Sequence, residues 1–286
     1  HKEAVEVLKE KFDITAVKIE PLAGLSNKVY KVTTDDEKEM VFKVLSHNPN
    51  EVFRLFENHA IKKSKAGDTL IYNDKHHRLE RFIKNDEVDR KTFMQEPMCL
   101  YQMYCLAKFN KCSSVESTTP NLFYTVEMSK DKMHELLNAN IEKIEDEDDK
   151  ADIKSKFKVV DRVYEHYRQK CKKETLVLSH NDCFYRNYLY APEEHQLYLI
   201  DYEYAGYNPL GMDVLVLFQE YLTDYEAEKP PGKVILYNDF PSDDTFRRVL
   251  RYYLYFYKNI ESLKDLKHDN EFIKNVEEDS RFDDIS

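Results

Sequence analysis

The sequence predicts an α+β protein of two unequal lobes: a small antiparallel sheet with its helix over residues 1–84, and a mainly helical part over 85–286. Three observations predict it. Alternating residues with turn signals fill "AVKIEPLAGLSNKVYKVTTDDEKEMVFKVLS", which reads as three short strands joined by two hairpins. Apolar residues at helical spacing dominate after residue 89. Two short apolar runs, "TLVLS" and "QLYLI", interrupt that helical half, and each leads into an acidic stretch.

Taken in order, residues 2–12 read as an amphipathic helix through Val5, Leu8 and Phe12. After the three strands, a helix is expected near 51–65, then strands near 69–73 and 77–83 around the turn "YNDKHH". "DRKTFMQEPMCLYQMYCLAKFN" carries Phe93, Met98, Leu100, Tyr101, Tyr104, Cys105 and Phe109 mostly on one helical stripe. "KCSSVESTTPN" reads as a loop, and the charge-dense "NIEKIEDEDDKADIKSKF" as a solvated helix start or an exposed connection. Helices are expected over 156–171, 211–225 and 246–260, the last two separated by the proline-rich "AEKPPGKVILYNDFPSDD". Two lobes of this kind leave a cleft between them, where ligands usually bind.

Composition narrows the function. Hydrophobic residues make up 42% of 286, enough for a sizeable core, and the formal net charge is −11. With that charge and no long Lys/Arg block, nucleic acid is not an expected partner. Five cysteines without a C-x-x-C pair argue against a disulfide framework or a zinc site, and fit a reducing cytosol. No apolar run approaches the roughly 20 residues of a membrane span. The chain opens "HKEAVEVLKE", with neither Met nor an apolar signal segment, so a start upstream of His1 is expected.

The chemistry gathers in "LSHNDCFYRN" at 178–187 and "LYLIDYEYAGYNPLGMDV" at 197–214. Phosphoryl transfer asks a protein for a base at the attacking hydroxyl, oxygen ligands for Mg²⁺ and a cradle for the phosphates. H-x-D-x-x-x-x-N can supply Asp182 as base and Asn187 as a neutral metal ligand, with Asp201 as the charged one. An isolated motif of this length is common by chance. An apolar strand before each acid, with a hairpin-length loop between them, makes the pair far more specific.

Together these stretches resemble the choline/ethanolamine kinases, a branch of the protein-kinase-like fold that includes the aminoglycoside phosphotransferases. "IDYEYAGYNPLGMDVLVLFQEY" carries the family's I-D-x-E-Y, then Y-N and an acidic helix start, whereas D-F-G and A-P-E do not occur. The resemblance implies a bilobal fold that uses ATP and Mg²⁺ to phosphorylate the hydroxyl of choline or ethanolamine, the first step of the CDP-choline and CDP-ethanolamine routes to phospholipids. It implies that Gly24, Ser26 and Asn27 of "LAGLSNKVYKV" cradle phosphates, although Ala23 replaces one of the family's two glycines. It implies that Lys43, where many members carry Arg, reaches the phosphates and pairs with Glu57, and that the backbone of Arg81, Phe82 and Ile83 meets adenine. Glu203, Tyr204, Glu220 and Tyr225, with Asp182, are the implied acceptor side.

Some residues depart from the family. Trp is absent, whereas the family faces the ammonium with tryptophans near its C-terminus. A further segment beyond Ser286, replacement by Tyr252, Tyr253, Tyr255 and Tyr257, or an acceptor other than choline are the three readings of that absence. Phe184 and Val216 also stand where the family is often polar. The rival readings are a kinase for another amino alcohol or an aminoglycoside, and an inactive nucleotide-binding relative. A homodimer is compatible with the sequence, which does not define the oligomeric state.

Overall fold

The computed structural model describes residues 2–22, 27–45, 57–62, 69–112, 134–135, 137–171, 174–225, 234–236, 241–263, 266–269 and 271–285. Helix α1 (Lys2–Phe12) leads into β1 (Ala16–Leu22), β2 (Lys28–Thr34) and β3 (Glu39–Val44), and β4 (Leu70–Asn73) and β5 (His77–Arg81) come after them. The five strands form one antiparallel sheet in the order β1-β2-β3-β5-β4. Alternation along each strand turns Val32, Met40, Phe42 and Leu79 to one face, where Ala4 and Leu8 of α1 cover them. The covered stripe of α1 is thus Ala4–Leu8, with Phe12 beside it. Val5, expected on that stripe, is exposed, because the i, i+4 row that meets the sheet starts one residue earlier. Residues 57–62 are helical, inside the expected 51–65.

Specific contacts fix the exit from the sheet and tie it to the C-terminal part. Phe82 N–H donates to Glu39 O at 3.1 Å, and Asp86 N–H donates to Tyr190 O at 3.0 Å. Arg81 forks onto Glu194 at 2.8 and 3.2 Å and also donates to Tyr198 Oη at 3.0 Å. Exposed pairs contribute little stability, but a planar bidentate fork fixes direction.

The expected helix over 89–110 divides into a short turn at Arg90–Phe93, capped by Asp89, and α2 (Met98–Lys111). Pro97 stands at the break, where a residue without an N–H suits a helix start but not a helix interior. Almost every residue of α2 is buried, so its apolar residues surround it and do not form a single stripe. Helix α3 (Glu147–Cys171) begins nine residues before the expected 156, because the acidic run is its first turn. Asp146 accepts from the N–H groups of Asp148 and Asp149 at 2.8 and 3.0 Å, satisfying donors that have no partner inside the helix.

Four short strands come next: β6 (Leu176–Ser179), β7 (Tyr188–Ala191), β8 (Gln196–Leu199) and β9 (Gly206–Pro209). The strand pairs are β6–β9 and β7–β8, so the two expected runs lie in different ribbons. Helices α4 (Met212–Leu222) and α5 (Asp243–Asn259) are next in the chain, and Gly211, at φ 88°, permits the turn into α4. A short helix, α6 (Phe272–Glu277), packs on α2 and α5.

Tyr252, Tyr253 and Tyr255 of α5 are fully buried. Their hydroxyls donate to Glu277, to Asn110 at 2.6 Å and to Asp279 at 2.6 Å. They are core residues with partnered hydroxyls, not exposed replacements for missing tryptophans.

The same core holds His268 stacked on Tyr101 at 4.7 Å, its Nδ1 accepting Leu197 N–H at 2.9 Å. Burial pushes this imidazole from 6.5 down to about 3. A base depressed on folding contributes stability that is full above pH 6.5 and is lost progressively as pH falls toward 3. Denaturant unfolding at falling pH should show a loss on the order of 3 kcal/mol by about pH 4 from this group. His268→Asn, which keeps an acceptor for Leu197 but does not titrate, should flatten the profile; identical profiles would assign acid lability elsewhere.

Candidate active site

All four residues of β6 are buried, which explains its unbroken apolar run, and its end delivers His180, Asn181 and Asp182. Asn181 is at φ 66°, a region that Asn tolerates better than most residues. The loop is held from beneath by Asp213, in the first turn of α4 and 1% exposed. One Asp213 oxygen accepts His180 N–H at 2.9 Å and the Asn110 amide at 2.7 Å, and the other accepts Asn181 N–H at 2.9 Å. Three donors offset the cost of burying that carboxylate. Asn110 is fixed in turn by donating to Leu178 O at 2.7 Å and accepting from Tyr253.

His180 joins the two acid-bearing stretches. Its Nδ1 faces Asp182 N–H at 3.3 Å as acceptor, which puts the ring proton on Nε2, donating to Ile200 O at 2.9 Å. Ile200 precedes Asp201, and Ile200 N–H donates to Asn187 O at 2.9 Å. The Asn187 amide closes the loop by donating to Asp182 O at 3.0 Å and to the Asp182 carboxylate at 2.8 Å. The segments that carry Asp182, Asn187 and Asp201 are therefore tied together by hydrogen bonds. Both Asn187 bonds use Nδ2, which leaves Oδ1 as the atom for a cation.

Asp201 sits at φ 66°. Burial pushes its carboxyl above the usual carboxylate range, against the pull of Lys43 and with Asp182 and Glu57 adding to the rise. A carboxylate that burial raises and that has no hydrogen-bond donor among the described residues fits a hard divalent cation.

A cavity of about 340 Å³ opens above these groups, between the N-terminal sheet and the β7–β8 hairpin. Asn27, Lys43, Arg81, Phe82, Ile83 and Asp201 all line it. Gly24 and Ser26 lie outside the described residues. Thr69, Glu80, Asn85, Leu189 and Ile200 also line the cavity, although sequence reasoning did not single them out. For Leu189 and Ile200 the available signal was their place in the apolar runs flanking the motif acids.

The pairing expected between Lys43 and Glu57 takes a different form. Lys43 Nζ meets Glu80 at 3.1 Å, while Glu57, 3% exposed, accepts from Arg78 at 2.7 Å. Arg78 reaches Glu57 first because β5 lies beside β3 and brings a longer, forked cation to that carboxylate.

Tyr225 donates to Glu220 at 2.7 Å and meets the Phe184 ring edge-on at 5.1 Å. Burial, then Glu220 and Asp182, pushes the Tyr225 phenol up. The half-exposed Tyr204 is raised by burial and then by Glu203, Asp182 and Asp201. Tyr204 and Tyr225 thus each feel Asp182 together with a glutamate, and an aromatic face beside a carboxylate suits an ammonium group.

The fold is that of small-molecule kinases already solved. A choline kinase from Cryptosporidium parvum Iowa II superposes with a TM-score of 0.66 at 17% identity, over 96% of this chain and 83% of that one. An ethanolamine kinase from Plasmodium vivax gives 0.63 at 16% identity, over 93% and 72%. A probable choline kinase 2 of Arabidopsis thaliana is 31% identical over 106 residues, 37% of this chain and 28% of that relative's length. The family model for choline/ethanolamine kinase matches residues 19–285, and the chain belongs to that family.

Asp213→Asn should lower stability by about 2–4 kcal/mol, because two backbone N–H groups lose a charged acceptor. Urea unfolding measures it, and an unchanged midpoint would remove Asp213 as the anchor of the loop.

Proposed function

We propose that the chain transfers the γ-phosphoryl group of Mg²⁺-ATP to the hydroxyl of choline or ethanolamine, in two lobes dividing near residue 84. The observation that carries the reading is the Asp182–Asn187 contact, linked through His180 and Ile200 to Asp201. Family membership supports it.

In this reading the acceptor hydroxyl lies against the Asp182 carboxylate, which orients it and takes its proton as the new phosphorus–oxygen bond forms and ADP leaves. Asp182 needs no special basicity, since the proton departs late in a loose transition state. Asn187 Oδ1 and Asp201 would hold Mg²⁺, which neutralises charge on the phosphates. Lys43 and Asn27, with Gly24 and Ser26, steady the phosphates, while the backbone of Arg81, Phe82 and Ile83 meets adenine. Glu203, Tyr204, Glu220 and Tyr225 receive the ammonium. A cationic acceptor is favoured over a neutral sugar because Asp182 acts on tyrosines that also carry glutamate partners. Among the described residues, no helix is long and apolar enough to cross a membrane. A cytoplasmic place at the entry to phospholipid synthesis belongs to the same reading.

Mg²⁺-dependent ADP release with choline and ethanolamine side by side tests the proposal. Asp182→Asn should reduce kcat by about 10²–10⁴-fold with ATP affinity nearly unchanged, and retained turnover would remove its assignment as base. Glu220→Gln should raise KM for the amino alcohol several-fold with little change in the KM for ATP. The reverse pattern would take Glu220 out of the acceptor site.

A further inference from the structure

Lys43 and Arg78 stand directly opposite each other on β3 and β5. Residues so paired share one face of the sheet, and like charges there are destabilising unless carboxylates separate them. Glu80, two residues along β5 and therefore on the same face, reaches both: 3.1 Å to Lys43 Nζ and 3.9 Å to Arg78 Nε. Arg78 is 2% exposed and spends its other contacts on Glu57 at 2.7 Å and Asn73 at 3.1 Å. The charges therefore alternate in space as Lys43, Glu80, Arg78, Glu57.

From this order we infer that Glu80 is the positioning residue for Lys43, with Glu57 holding Arg78 beside it. The inference rests on the reading of the cavity as a nucleotide site. An ammonium on a flexible four-carbon stem has three donors; anchoring one on Glu80 leaves two for phosphate oxygens and fixes where they point. Without Glu80, the Arg78 charge would push Lys43 away from the position it holds in the cavity wall. Glu80 also directly precedes Arg81–Ile83, and all four residues line the cavity. One strand thus sets both the base end of the site and its phosphate-facing cation.

A double-mutant cycle separates positioning from a general structural role. Mg²⁺-ATP affinity would be measured by titration calorimetry for the wild type, Glu80→Gln, Lys43→Met and the double variant. Glu80→Gln should weaken binding on the order of fivefold when Lys43 is present and less than twofold when it is not. Equal losses in both backgrounds, an unchanged affinity or tighter binding would each overturn the inference. Should Glu80→Gln fail to fold, Glu80→Asp keeps the charge beside Arg78 but draws it back from Lys43, and the same non-additivity is expected. ATP binding without turnover on either amino alcohol would sink the acceptor assignment and leave the role of Glu80 standing. A wild-type chain that does not bind ATP would overturn both.

Discussion

The buried carboxylate of Asp213 is the constraint on which the site depends. Its two oxygens collect the backbone N–H groups of His180 and Asn181 and the amide of Asn110. A strand end would otherwise leave those donors unpaired in a dry interior, at a cost of the same order as the stabilisation the contacts provide. With the backbone held there, His180 can reach Ile200, and the loop carrying Asp182 and the strand end carrying Asp201 become one rigid unit. Tyr253 extends the chain of support outward, through Asn110, into the helical core.

Charge is used differently in the two parts of the molecule. In the sheet, two cations and two carboxylates alternate across β3, β5 and the helical residues at 57–62, so buried charges are neutralised by neighbours and Lys43 is held toward the cavity. Around Asp182 the balance is acidic: Asp182 acts on Tyr204 together with Glu203 and Asp201, and on Tyr225 together with Glu220. In the proposed reaction the sheet side would face the phosphate-bearing donor and the Asp182 side the cationic acceptor. The Arg81–Glu194 fork and the Asp86–Tyr190 contact keep those two sides in register.

The aromatic residues divide along a similar line. Those on α5 and α2 build the core, with hydroxyls satisfied by Asn110, Asp279 and backbone carbonyls such as Asp269 O and Leu263 O. Tyr204 and Tyr225 remain partly exposed beside acids, where a ring face and a carboxylate together can receive an ammonium.

Much of this was legible in the sequence because it depends on short-range pattern. Period-two alternation marked β1 to β3, the turn in "YNDKHH" marked β4 and β5, helical spacing marked α1 and α5, and the spacing from His180 to Asn187 located the loop. Asp182 and Asp201 could be nominated because an apolar run precedes each acid, Asn187 because of its spacing from His180, and Lys43 because its strand resembles the family's. Long-range choices were not legible. Glu57 pairs with Arg78 instead of Lys43 because of strand order, and Glu80 lines the cavity because of its register with Val41 and Lys43. The tyrosines of α5 face inward because α2 and α6 pack against them. Local sequence determined which segments form strands, helices and acid-bearing turns, since propensity and periodicity act within a few residues. Only the tertiary structure decided which charge meets which, because contacts between residues tens of positions apart depend on strand order and packing, which no local pattern encodes.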